Sequence, residues 1–280
     1  MRYREILPSP ALAGFVRCYW TLTAAPAAGP PALERVLPDG CVELIVHAGA
    51  PFERHDERRG VERQPLTFVV GPTTRHLMIR PTGEVRVLGI RFLPGGAHRF
   101  LAAPAHELAD RALELDAVSR LLGADIGERV AVARSDAEVV RLVEGLLLRA
   151  AGDDDERGRV IRRAAAYVVR ASDDFSMRAL SSRVGLGQRH LERRFREVIG
   201  IGPKALQRIS RFQRVVRAIE RGSEPRWPEL ALRCGYYDQA HLTRDFRELS
   251  GTTPAAFARQ HHEMSDHFTG TASESDSSKT

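Results

Sequence analysis

Lysine is almost missing from this chain: 40 of its 42 basic residues are arginine. A GC-rich coding bias accounts for that choice of cation, but not for its distribution described below. Long apolar runs are missing too. No stretch of about 18 apolar residues occurs, so no segment reads as a membrane-crossing helix. The start, Met1-Arg2-Tyr3-Arg4-Glu5, continues into proline-containing sequence where a secretory signal would be apolar. The expectation is a cytoplasmic protein without a membrane partner. Cysteine is scarce: Cys18, Cys41 and Cys234 are scattered, with neither zinc-ligand nor disulfide spacing, and read as reduced core residues. His76, His98 and His106 fall in separate elements with no ligand spacing, so no metal is expected. Neither Gly-x-Ser-x-Gly nor His-Glu-x-x-His occurs, and the sequence requires no cofactor and points away from an enzyme.

What is present is uneven. The chain has 280 residues, 43% of them hydrophobic, enough for two domains with a core each. Its net charge of +6 divides into −3 over residues 1–156, +12 over 157–260 and −3 over 261–280. Acidic residues thin out in the middle segment alone, and a compact segment this basic suits a polyanion, because each arginine laid on a phosphate releases counterions.

The run Gly152-Asp153-Asp154-Asp155-Glu156-Arg157-Gly158 reads as a linker over 152–158, and the polar residues 261–280 as a disordered tail. Residues 1–151 read as an α+β unit. Short β-rich runs at 33–46, 66–70, 77–80 and 85–92, punctuated by glycine and proline, predict a cupin-like barrel or a sandwich. Helical spacing takes over from about Gly96. The apolar stretch Val139–Leu147 is open to two readings, a dimer seam or packing within its own domain. Glu43, His47 and Arg91 alternate with apolar neighbours and read as outer-face residues or pocket lining. Tyr19 and Trp20 read as core or as a ligand wall. Pro94-Gly95-Gly96 reads as a turn before a helix or, less simply, as a phosphate cradle.

Residues 159–260 read as all-α and compare with themselves. Leu180, Arg183 and Gly185 match Leu230, Arg233 and Gly235 at an offset of 50. Beyond one inserted residue, Leu191, Arg193, Phe195, Arg196, Glu197, Gly200 and Pro203 match Leu242, Arg244, Phe246, Arg247, Glu248, Gly251 and Pro254 at 51. Each copy is a helix-turn-helix in pattern. Ser176 caps a first helix, Gly185 turns, and a second helix over Gln188–Ile199 sets Leu191, Phe195 and Val198 on one stripe. In the second copy Pro228 starts, Gly235 turns, Asp238 caps, and Leu242, Phe246 and Leu249 form the stripe. The opposite faces carry Gln188, Arg189, Glu192, Arg193 and Arg196, then Gln239, Thr243, Arg244 and Arg247. These side-chain types read base edges or bind phosphate. Between the copies, a helix from Pro203 to about Glu220 would span about 27 Å, near the ~34 Å between successive major grooves on one face of DNA.

The segment Pro228–Phe257, PELALRCGYYDQAHLTRDFRELSGTTPAAF, resembles the second-motif signature of the AraC/XylS transcription regulators, and the 60 or so residues before it resemble the first half of that module. The resemblance implies sequence-specific binding of double-stranded promoter DNA, with Arg189, Glu192 and Arg193, and Gln239, His241, Thr243 and Arg244, at the contact positions. It also brings in RNA polymerase, a small-molecule effector and a homodimer as candidate partners. The sequence departs from the pattern at Gly187, where a serine-like cap is usual, and at Arg211–Val215, a matter of packing. Val16–Trp20, Leu37–Cys41 and Gly89–Gly96 resemble an uncharacterised domain attached to many such regulators, related to the sugar-binding barrel of others. The rivals are an enzyme or repair protein with a basic nucleic-acid-binding appendage and a helical protein-interaction module. A methyl-accepting repair domain needs a cysteine cluster absent here, and a protein-interaction module has no need of arginine and glutamine on the recognition faces.

Overall fold

The computed structural model describes residues 1–25, 29, 31–56, 60–118, 126–133, 135–150, 156–171, 176–221 and 226–260. Among the described residues, ten strands come first: β1 (Arg2–Ile6), β2 (Val16–Ala24), β3 (Glu34–Val36), β4 (Glu43–His47), β5 (Glu53–Asp56), β6 (Gly60–Arg63), β7 (Thr67–Val70), β8 (Leu77–Arg80), β9 (Val85–Phe92) and β10 (Ala112–Glu114). They form two antiparallel sheets, β1-β2-β9-β4-β7-β10 and β3-β8-β5-β6. The larger sheet is a middle layer. One face sends Cys18, Trp20, Leu22, Ile45, Phe68 and Val87 toward the smaller sheet. The other sends Tyr19, Leu44, Val69 and Ile90 into the core shared with the helices that follow. Burial on both faces explains why β4 and β9 read as continuous apolar runs with little alternation. Trp20 lies opposite Gly89 in the β2–β9 register, and its indole fills the space over that glycine, where a Cβ would come within 1.9 Å of the ring.

The trailing helices are α1 (Leu115–Val118), α2 (Ile126–Val132) and α3 (Asp136–Ala150). Val139, Val143, Leu146 and Leu147 of α3 are buried in the same core as Leu44 and Ile90. The apolar stretch is therefore consumed within its own domain, and the dimer seam is lost as a reading. Arg91 is corrected as well. At 2% exposure it lines no pocket and faces no solvent; it is ion-paired with Glu43, and with Asp39 at 3.3 Å and Glu5 at 3.5 Å. Three carboxylates around one guanidinium satisfy a charge whose isolated burial would be prohibitive. Glu43 and His47 do line a void between the sheets, but it holds only about 70 Å³. Burial pushes His47 down to about 4, so its ring is neutral there, stacked on Phe68 and bonded to Gln64 at 3.1 Å. Tyr19 and Trp20 are core residues.

The second half is all helix: α4 (Glu156–Arg170), α5 (Met177–Val184), α6 (Gln188–Ile199), α7 (Pro203–Glu220), α8 (Trp227–Arg233), α9 (Gln239–Ser250) and α10 (Pro254–Arg259). The start of α4 at Glu156 makes the last three residues of the expected linker helical. The rest of that linker, residues 152–155, and the tail at 261–280 lie outside the described residues. One core joins Ile161 and Val168 of α4 to Leu180, Leu191, Phe195, Phe212, Leu230, Leu242 and Phe246. Fully burying a leucine or phenylalanine contributes about 1.5–3 kcal/mol, so this stripe fixes which side of α6 and α9 turns outward.

The two halves are packed together. Leu37 belongs to the helical core, and the buried amide of Gln213 donates to the carbonyl of Pro38 at 2.7 Å. Pro94-Gly95-Gly96 is a turn before a short helix: Gly95, at φ +81°, lies against Val198 and Ile199, and the helix beyond is one 3-10 turn, Ala97–Arg99.

Candidate nucleic-acid interface

The local chemistry of both helix pairs explains their form. In the first, the Ser176 hydroxyl accepts from the N–H of Ala179 at 3.4 Å, and Gly185 ends α5 at φ +69°, a left-handed conformation that glycine adopts freely. Gly187 precedes α6 with no side-chain cap. In the second pair Pro228 sits in the first turn of α8, and Asp238 caps α9 by accepting from the N–H of His241 at 2.7 Å. Both recognition helices have twelve residues and end at a glycine of positive φ, Gly200 at +98° and Gly251 at +74°.

The stripes Leu191/Phe195/Val198 and Leu242/Phe246/Leu249 are buried. On α6 the opposite side exposes Gln188, Arg189, Glu192, Arg193 and Arg196 together. Arg193 also comes within 3.9 Å of Glu197, one turn on, a weak surface pair that yields readily to a stronger anion. On α9 Gln239, Arg244 and Arg247 are exposed, while His241 and Thr243 are half-buried. Thr243 donates its hydroxyl to the Gln239 carbonyl at 2.8 Å, which fixes its rotamer and leaves its methyl and lone pairs outward. The His241 ring stands edge-on to Tyr236 at 5.2 Å. Tyr237, just before the cap, is 86% exposed. Sequence reasoning passed over it, although two consecutive tyrosines at a turn could have prompted the question of which one packs.

The helix between the copies does more than set a distance. Arg211 donates to the Gly235 carbonyl at 3.3 Å, and Arg214 to that of Cys234 at 3.4 Å and that of Val169 at 2.9 Å. These guanidiniums satisfy the carbonyls left open where α8 and α4 end. Arg208 pairs with Asp245 and Glu248 of α9.

The ends of α6 and α9 both meet one loop of the β-rich domain, residues 71–76. Pro72 and the carbonyl of Ala105 close over Gly200. At the other end of the loop the ring of His76 lies over Gly251, and the backbone N–H of His76 donates to the Leu249 carbonyl at 2.8 Å. The loop is held by Asp110, whose carboxylate accepts from the N–H and hydroxyl of Thr74 at 2.6 and 2.7 Å. Asp110 is the one non-glycine residue with positive φ among the described residues.

Residues 180–260 match a helix-turn-helix domain family, and residues 4–114 match a domain of unknown function (DUF6597). This chain carries an AraC-type helix-turn-helix domain at residues 180–260. As such it is a DNA-binding transcription regulator, with the module that binds DNA at its C-terminal end. No curated protein sequence matches it. Among solved structures it is similar to ToxT from Vibrio cholerae, at 8% identity over 85% of this chain and 98% of that one, with a TM-score of 0.48. It is similar also to the DNA-binding domain of AdpA, solved with a target DNA, at 27% identity over 38% and 93%, with a TM-score of 0.33. A third likeness is to the C-terminal domain of AraT from Geobacillus stearothermophilus, at 19% identity over 44% and 96%, with a TM-score of 0.36. No helix among the described residues is long and apolar enough to cross a membrane.

Proposed function

We propose that this regulator lays α6 and α9 in successive major grooves of one duplex. Gln188, Arg189, Glu192, Arg193 and Arg196 address the first groove and Gln239, His241, Thr243, Arg244 and Arg247 the second. The observation that carries this is the repeat of one arrangement: a helix with one face buried and the other a row of exposed arginine and glutamine. Arginine pairs with guanine and glutamine with adenine through two hydrogen bonds each, while the remaining arginines suit phosphates. The chain acts by binding, not by catalysis, in the compartment that holds the chromosome. The β-rich domain governs the pose of both helices, since a single loop touches the end of each, and an effector would act by changing that contact.

Binding to a promoter fragment titrated across salt tests the reading. Affinity should fall steeply as salt rises, as counterion release requires. Arg189→Ala and Arg244→Ala should each lose about 1–3 kcal/mol on the preferred sequence and relax the preference at one base pair. Salt-independent binding, or equal loss on every sequence for all ten positions, would contradict base reading.

A further inference from the structure

Between the two domains runs an open cleft of about 460 Å³, much larger than the void of about 70 Å³ between the sheets. Its lining is arginine to an unusual degree: Arg17 from β2, Arg159, Arg162, Arg163 and Arg170 from α4, and Arg217 from α7. Positions 159, 163 and 170 follow one face of α4, opposite the Ile161/Ala165/Val168 stripe that enters the core. The single acid of the lining, Asp39, is committed elsewhere, accepting from the N–H of Cys41 at 2.9 Å and facing Arg91 at 3.3 Å. Arg162 lies over the Phe15 ring at 4.7 Å. Arg163, Arg170 and Arg217 form no ion pair within 4 Å among the described residues. Leu93, Pro94, Ala166 and Val169 supply an apolar floor.

The charges are therefore like-signed and face one another across the domain boundary. Burial and then the nearby Arg17 hold the Arg217 guanidinium below its ordinary value; Glu220 on the same helix opposes them, and Arg214 and Arg221 add to the repulsion. An anion that touches both sides would relieve this repulsion.

We infer that the cleft binds a small organic anion carrying two or more acidic groups on a short carbon frame. One acidic group sits between Arg17 and Arg217 and a second along Arg163 and Arg170, with the frame on the apolar floor. Guanidinium forks suit carboxylate and phosphate alike. A monoanion leaves half of the arginines unanswered. Because Arg17 belongs to one domain and the others to the second, the bound anion ties the domains together. Its effect on DNA rests on the function proposed above, while the binding itself does not.

Calorimetry on the full chain tests the site, with citrate as the carboxylate probe, pyrophosphate as the phosphate probe, and acetate and chloride at matched ionic strength as controls. Saturable binding of citrate or pyrophosphate is expected, with the melting temperature raised more than by acetate or chloride; the stronger of the two probes identifies the acid. Arg17→Met and Arg217→Met should each weaken that binding about tenfold or more, the weight of a charged hydrogen bond, and Arg149→Met, which does not line the cleft, should leave it unchanged. If either cleft variant fails to fold, exposed Arg170→Gln serves, with loss of several-fold. Equal effects of all four anions, or unchanged affinity in the cleft variants, overturn the site. So does weakened DNA binding by the cleft variants when the parent binds no probe, because the arginines then belong to the DNA backbone. Absent probe binding with intact specific DNA binding refutes this inference alone; bound citrate with no specific DNA binding refutes only the function proposed above.

Discussion

At position 194 of the first copy an arginine pairs with Glu197 on its own helix at 2.9 Å, whereas the counterpart in the second copy, Asp245, is 7% exposed and takes Arg208 from the connecting helix. The entry to α6 is a bare glycine, and the entry to α9 is a capping aspartate. The second copy is thus fastened by charge to α7, while the first relies on apolar packing and on the β-rich domain pressed against its end. Duplication preserved the buried stripe and let the attachments diverge. Both copies meet the β-rich domain, the first at Pro72 and Ala105 and the second at His76.

That contrast can be broken at the glycines first. At Gly200 an added Cβ meets the Ala105 carbonyl at 2.9 Å and Pro72 at 2.8 Å, backbone and ring that cannot swing aside. Gly200→Ala should cost about 2–3 kcal/mol of stability by denaturant unfolding, from strain at positive φ plus the clash. Gly251→Ala meets the His76 side chain, which can turn away, and should cost about 1–2 kcal/mol. His76→Ala should recover part of the second loss and none of the first. Equal losses at the two glycines would erase the difference.

The charged attachment comes next. Asp245→Ala should cost about 2 kcal/mol, since a buried partner is removed but Arg208 retains access to water. Arg194→Ala should cost a few tenths, about the worth of a surface pair. The caps give the smallest effects. Asp238→Ala should lose about 1 kcal/mol, and Gly187→Ser should gain a few tenths. Thermal unfolding of each variant beside its parent decides both, and an unchanged midpoint for Asp238→Ala would mean that α9 does not depend on its cap.

The recognition helices were legible because they obey local rules. Leu191 to Phe195 is one turn, Ser176 and Asp238 are strong caps, and Gly185 and Gly235 mark turns that other residues adopt at a cost. The strands were legible where glycine and proline bound them, as in Val85–Phe92. What stayed hidden depends on residues far apart in the chain. Nothing near Arg91 announces that Glu5, Asp39 and Glu43 converge on it. Nothing near Pro38 announces Gln213, and the Arg211–Val215 departure proved to be a set of carbonyl caps and a domain contact. The Val139–Leu147 stripe was open for a different reason: periodicity reveals that a face is buried, but not by whom, and the core of its own domain decides it. The arginine stripe on α4 has a period that could have been read, but only the arrival of Arg17 from β2 turns a charged helix face into a cleft.

The most direct test is protection of guanine N7 positions by the bound protein, repeated on a site with half a helical turn, about 5 base pairs, inserted between its halves. Two protected patches one turn apart on the same face of the DNA are expected, with affinity lost on the inserted site. A single patch, or affinity indifferent to the insertion, would mean that α6 and α9 do not share a duplex.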